Sequence, residues 1–114
     1  MKGEGKVYNS KAYCGGTFLG EKELKETNID YRIELEYYTT NNHINISTKE
    51  EINTYGIEIV KKEYKNNKID IETNNVEHIS NNASKVIEII ETLKKYKVTP
   101  IGLNDVLEDL LKAN

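Results

Sequence analysis

Tryptophan is absent, and proline, cysteine, methionine and phenylalanine occur once each in 114 residues. The single thiol, Cys14, has no partner for an internal disulfide, which fits a reducing cytoplasm. No apolar run reaches the ~20 residues of a membrane-spanning helix, and the N-terminus lacks the apolar core of a secretory signal. Strong charge of one sign is missing too. The formal net charge is -3, with no block of like charges, so the basic footprint of a dedicated nucleic-acid binder is not there. The expectation is a soluble cytoplasmic protein with no membrane contact and no nucleic-acid partner.

A chain of this length builds one domain and can bury one core without disulfides or metal. Isoleucine dominates its apolar residues, and with no Trp that core is modest. The clearest pattern lies in Thr54–Thr73. Tyr55, Ile57 and Ile59 share one face of a strand while Glu58, Lys62 and Tyr64 take the other, since side chains alternate with period two. Asn66-Asn67 is a turn, because Asn tolerates positive φ. Beyond it Ile69 and Ile71 alternate with Lys68, Asp70 and Glu72, and the isoleucines of this hairpin are expected to mark one face to be covered.

Two strands are marginal in water, so a third is required. Ile29–Tyr37 supplies it: Ile29, Tyr31, Ile33, Leu35 and Tyr37 point one way, and Asp30, Arg32, Glu34 and Glu36 the other. Thr39–Asn42 reads as a turn, and His43–Ile46 either continues the sheet or forms a flap. Residues 1–27 hold five of the seven glycines, at positions 3, 5, 15, 16 and 20, and read as a flexible Gly/Lys-rich arm. Within that arm Val7-Tyr8 and Tyr13–Leu19 could add a short strand. Residues 28–114 form a single α+β domain.

Helical spacing takes over after an Asn- and Ser-rich linker, Asn74–Asn82. Ala83, Val86, Ile87, Ile90 and Leu93 make a stripe, widened by Ile89 and Tyr96, behind the capping residues Ser80, Asn81 and Asn82. The helix is expected over about 82–96, with Lys94, Lys95 and Lys97 complementing its dipole. Val98-Thr99-Pro100 stops it. A second helix begins near Pro100 or at Asn104, with Leu103, Val106, Leu107, Leu110 and Leu111 as its apolar stripe. The fold expected is an α+β three- to four-stranded antiparallel meander with both helices packed on one face.

No chemical constellation stands out. Cys14 with His43 and His78 has neither zinc spacing nor a required nucleophile–base contact, so no metal or cofactor is expected. Gly15–Gly20 lacks the Gly-Lys-Ser/Thr end of a phosphate loop, being followed by Glu21 and Lys22. Asp105, Glu108 and Asp109 share a helical face, which ordinarily means a solvated surface. Of the eight tyrosines, Tyr31, Tyr37 and Tyr55 are expected inside rather than as base-stacking platforms. The functional candidate is the last helix. Leu103, Val106, Leu107, Leu110 and Leu111 either dock within the chain, which is the preferred reading, or meet a partner groove or a second copy.

Tyr55–Glu63 (YGIEIVKKE), Val98-Thr99-Pro100 and Leu103–Leu110 (LNDVLEDL) together resemble a family of short uncharacterised clostridial proteins, a domain of unknown function. The resemblance spans about residues 29–111 and excludes the Gly-rich arm. It implies a cytoplasmic protein of an anaerobic spore-former and carries no activity. The functional expectation is a small non-enzymatic interaction or regulatory protein with a protein partner or itself; the alternative is a small ligand-binding domain or enzyme with an unrecognised site.

Overall fold

The alternation that singles out Ile33–Tyr37 and Tyr55–Ile59 builds the centre of an antiparallel sheet. The computed structural model describes residues 6–20, 31–45 and 51–112. Four strands, β1 (Lys6–Phe18), β2 (Arg32–Asn45), β3 (Glu51–Lys65) and β4 (Lys68–Ser80), precede two helices, α1 (Ala83–Lys95) and α2 (Leu103–Lys112). The strands lie in chain order as a meander. Both helices cover one face, where Leu35, Tyr37, Ile57 and Ile59 meet Val86, Ile89, Ile90, Leu93, Leu103 and Leu107. Each such apolar side chain contributes about 1.5–3 kcal/mol on burial.

Two polar clamps set the helices over this core. The buried Tyr37 hydroxyl donates to the Val98 carbonyl at 2.8 Å, which ties β2 to the link between the helices. Asn74 on β4 donates through Nδ2 to the Pro100 carbonyl at 2.9 Å and to Asn104 Oδ1 at 2.7 Å. Asn82 caps α1 by accepting from the amides of Ser84 and Lys85. The C-terminus of α1 closes differently from the sequence reading. Lys97 takes a left-handed φ of 54°, and the amides of Lys97 and Val98 reach back to the carbonyls of Lys94 and Leu93. This is a Schellman closure with a lysine where glycine is usual, and it ends α1 before Pro100 acts. Tyr96, expected in the stripe, is the exposed C-cap residue, and Ile87 is also exposed.

Residues 6–18, expected within a flexible arm, instead form the outer strand of the sheet, paired with β2 from Lys6↔Asn45 to Phe18↔Glu34. A backbone ladder holds this strand, so it needs few apolar side chains. A bulge between Tyr13 and Gly15 also breaks its alternation, which hid it. Gly15 has φ 123°, and the Lys94 side chain packs over it with Nζ donating to the Cys14 carbonyl at 3.1 Å. Thr39–Asn42, expected as a turn, and His43–Asn45 both continue β2, and β4 runs to Ser80 through most of the expected linker, because ladder pairing overrides the turn-prone Asn and Thr; Ile29 and Asp30 of the expected strand, with Ile46, lie outside the described residues.

The shared isoleucine face is corrected by the register. The Asn66-Asn67 turn pairs Lys65 with Lys68, so Ile69 meets Tyr64 and Ile71 meets Lys62. Those partners sit opposite Ile57 and Ile59. A two-residue turn joins an odd position to an even one, which sends Ile69 and Ile71 to the helix-free face. The helix-side positions of β4 are Asp70, Glu72, Asn74 and Val76 instead.

Candidate functional site

The helix-free face of the sheet is an ordered surface. Its rows across the strands read Phe18–Glu34–Lys62–Ile71, then Gly16–Glu36–Val60–Thr73, then Tyr13–Tyr38–Glu58–Asn75. Cross-strand pairs stiffen the centre. Tyr64 donates to Glu34 Oε1 at 2.7 Å, Lys62 to Glu36 Oε2 at 3.2 Å, and Lys11 to Glu58 Oε2 at 3.1 Å. Arg32 lies over both aromatic rings beside it, 4.7 Å from the Tyr64 centroid and 5.3 Å from that of Phe18. Tyr13 meets Tyr38 edge-on at 5.6 Å, and Lys11 Nζ sits 4.6 Å above Tyr38.

These pairs perturb the groups they join. The Tyr64 phenol is raised by its hydrogen bond to Glu34, and Lys62 by its bond to Glu36. Tyr38 is raised by desolvation and then by Glu36. At the hairpin end, Lys65 is raised and Asp70 lowered by their mutual hydrogen bond. Around this polar centre the margins are apolar and open. Tyr13 and Phe18 on β1 are 60% and 47% exposed, and Ile69 and Ile71 on β4 are 54% and 61% exposed.

At the far end of the face, β4 departs from its ladder. While β3 advances from Tyr55 to Ile57, β4 goes from Ser80 to Val76, and His78 takes φ 58°. The bulge leans across β3 at Gly56, where a Cβ would run into the Val76 carbonyl and come within 2.9 Å of Glu77 Cα. It thereby reaches β2. The His78 amide donates to Asn42 Oδ1 at 3.4 Å, and Asn42 Nδ2 donates to Glu77 Oε1 at 3.5 Å. Thr40 and Asn42, on a face that alternation leaves to solvent, are consequently 8% and 1% exposed.

Two clefts flank this junction. One, of about 300 Å³, opens on the helix-free face and includes Lys11, Thr40, Asn42, Glu58, Asn75 and Glu77. The other, of about 240 Å³, lies on the helix side against Ala12, Thr39, Asn41, Tyr55 and Ile87. Among the described residues, the buried side-chain oxygens or nitrogens without a hydrogen-bond partner are Thr40 Oγ1 and Asn41 Oδ1, both closed to solvent although their residues border the clefts.

The last helix, expected either to dock within the chain or to meet a partner, packs against the core. Leu103 and Leu107 are buried, Val106 and Leu110 are partly buried against the core, and Leu111 is exposed. Asp105, Glu108 and Asp109 face solvent, and no group of three metal-ligating side chains occurs among the described residues. Cys14 packs against the core from its bulge, and His78 Nδ1 lies 2.5 Å from Thr54 Oγ1. Tyr37 is buried; Tyr31 and Tyr55 are half-buried. Sequence reasoning missed Tyr13, Phe18, Ile69, Ile71, Thr40 and Asn42. For the isoleucines the length of the turn was a usable signal, whereas for Thr40 and Asn42 there was none, since their burial depends on a bulge far along the chain.

No helix among the described residues is long and apolar enough to cross a membrane. No curated protein and no solved structure matches the chain. A family model described as "Family of unknown function (DUF6514)" matches residues 17–113, beginning at the last two residues of β1 and running through both helices. With most of its length matched, this chain belongs to that family.

Proposed function

We propose that the chain is a small non-enzymatic interaction protein of the cytoplasm that acts as a self-associating module, with the helix-free sheet face as its docking surface and a second copy as the occupant. The observation that carries this reading is the row Phe18–Glu34–Lys62–Ile71. It runs aromatic, acid, base, aliphatic across the four strands. A two-fold axis parallel to the strands between β2 and β3 turns that order round. Phe18 of one copy then meets Ile71 of the other, and Glu34 meets Lys62, in both directions. Isologous interfaces need such self-complementarity, and aligned sheets pack face to face in this way. The lone Cys14 and the resemblance to short clostridial proteins support the cytoplasmic setting in an anaerobic bacterium.

Sedimentation equilibrium over a micromolar concentration series tests the reading. The wild-type chain is expected to dimerise, the exposed-site variant Ile71→Glu to stay monomeric, and Leu111→Glu to dimerise as the wild type does. Glu34→Lys is expected to weaken the dimer, and Glu34→Lys with Lys62→Glu to restore it. A wild-type monomer across the series, or a dimer abolished by Leu111→Glu and not by Ile71→Glu, overturns it.

A further inference from the structure

The two edges of the sheet are not alike. β1 is interrupted between Tyr13 and Gly15, the kind of irregularity that keeps a further strand off an edge. β4 has no such guard along Lys68–Val76. Its ladder to β3 is regular from Lys65↔Lys68 to Ile57↔Val76, and the stretch contains no proline. Among the described residues β3 is its only strand neighbour. A two-residue turn closes on a hydrogen-bonded pair, here Lys65 and Lys68, so bonding to β3 falls on every second residue: Lys68, Asp70 and Glu72. Ile69, Ile71 and Thr73 between them turn their N–H and C=O groups to the open edge.

That edge is complementary to itself. A two-fold axis perpendicular to the sheet beside Asp70 sets two β4 strands antiparallel. Ile69 then faces Ile71 of the second copy and Lys68 faces its Glu72, and each pair is made twice. The aliphatic pairs lie on the helix-free side and the ion pairs on the helix side. Outward-turned residues meet outward-turned residues, so the ladder hydrogen bonds form as well. Asp70 faces itself, the one like-charged meeting, and each Asp70 is covered by cations of its own chain, Lys65 Nζ at 3.1 Å and Lys68 Nζ at 3.7 Å. Other registers are poorer. An axis at Ile71 sets Asp70 against Glu72 twice, and one at Ile69 sets Ile71 against the turn residue Asn67. Lys68, Ile69 and Ile71 are all exposed and available.

We propose that the β4 edge pairs with the β4 edge of a second copy, joining two four-stranded sheets into one continuous sheet. This is strand addition with the chain as its own partner. It differs from the face contact proposed above, since it uses backbone groups and the helix-side charges Lys68 and Glu72; Ile69 and Ile71 serve both. The face axis runs along the strands between β2 and β3, whereas the edge axis lies outside β4, so the two do not meet. Used together they add face dimers side by side in an open series rather than closing a ring. The edge contact joins one short strand from each copy and is the weaker, so it acts at higher concentration than the face contact.

Sedimentation equilibrium of Phe18→Glu, extended to millimolar concentration, tests the edge alone, because that exposed β1 site spoils the face contact and lies at the margin away from β4. This chain is expected to dimerise at the top of the series, with slowed hydrogen exchange at the Ile69, Ile71 and Thr73 amides. In the same background Lys68→Glu and Glu72→Lys are each expected to weaken the dimer about tenfold, since each sets like charges opposite one another twice. An equimolar mixture of the two is expected to regain it, because both facing pairs are then of opposite sign. Lys68→Glu leaves the 3.2 Å pair of Lys61 with Glu72 in place, so it reports even where Glu72→Lys alters the strand. A Phe18→Glu chain monomeric throughout, a dimer indifferent to Lys68→Glu, or a mixture no tighter than its components overturns the assignment. The face reading is decided separately, by the Glu34 and Lys62 variants, which do not reach the β4 edge.

Discussion

Replacing Gly56 with alanine tests whether the β4 bulge is held where it is by the missing side chain. The added Cβ would collide with the Val76 carbonyl, lie 2.8 Å from Thr40 Oγ1 and 2.9 Å from Glu77 Cα. Two of those three neighbours are backbone, so no rotamer change relieves them. Overpacking of this kind costs about 1–3 kcal/mol. Pushing the bulge outward also removes the hydrogen bond from the His78 amide to Asn42 and exposes Asn42, about 1 kcal/mol more. The expected loss is about 2–4 kcal/mol, against a total stability of about 5–15 kcal/mol for a domain of this kind. At about 4 °C per kcal/mol, the Tm falls by about 8–16 °C. Urea unfolding followed by far-UV circular dichroism measures the energy, and hydrogen exchange at the His78 amide reports the bulge. Thr40→Val probes the same junction with the opposite sign. It removes an unpaired buried hydroxyl and is expected to raise stability by about 1 kcal/mol. A Gly56→Ala chain within about 0.5 kcal/mol of wild type, with His78 still protected, refutes the reasoning.

Lys97→Gly is expected to stabilise the chain by about 1 kcal/mol, read as a raised urea midpoint, because a lysine now occupies the left-handed position that closes α1. Tyr37→Phe is expected to cost about 1 kcal/mol at neutral pH through loss of the bond to the Val98 carbonyl. Burial raises the Tyr37 phenol above its unfolded value of about 10. Its contribution is therefore complete below that pH and is lost as pH rises, so the variant's stability should fall less steeply than wild type in alkaline denaturation. Equal alkaline slopes for the two proteins would contradict the placement of that phenol.

Much of the architecture was readable from residue order. Ile33, Leu35 and Tyr37, with Ile57 and Ile59, announced the dry face, and Val86, Ile90, Leu93, Leu103 and Leu107 announced its cover. A cap among Ser80, Asn81 and Asn82 was readable too, because capping is a contact between a side chain and amides two and three residues away, and the structure selects Asn82. The outer strand β1 was less legible, since its stability comes from a ladder to β2 and its pattern is shifted by the bulge at Cys14. Ile69 and Ile71 look like core residues in isolation. Their exposure follows from the parity of the Asn66-Asn67 turn, which is present in the sequence but acts only through pairing.

Periodicity and capping are local, so the chain's order of residues by itself determined four things: the apolar centres of β2 and β3, which face of them is dry, the neighbourhood in which α1 begins, and that α2 has an apolar stripe. Register is a relation between distant segments, and tertiary structure alone decided it. The ladder to β2, continuous on both sides of the Tyr13/Gly15 shift, holds β1 on the sheet. The hairpin put Ile71 in the same row as Phe18. The Gly56 gap let β4 lean over β3 and bury Thr40 and Asn42. A side chain's burial is set by what crosses above it, and for those two residues the crossing segment comes more than thirty positions later, as the 35- and 36-residue separations of Asn42 from Glu77 and His78 record.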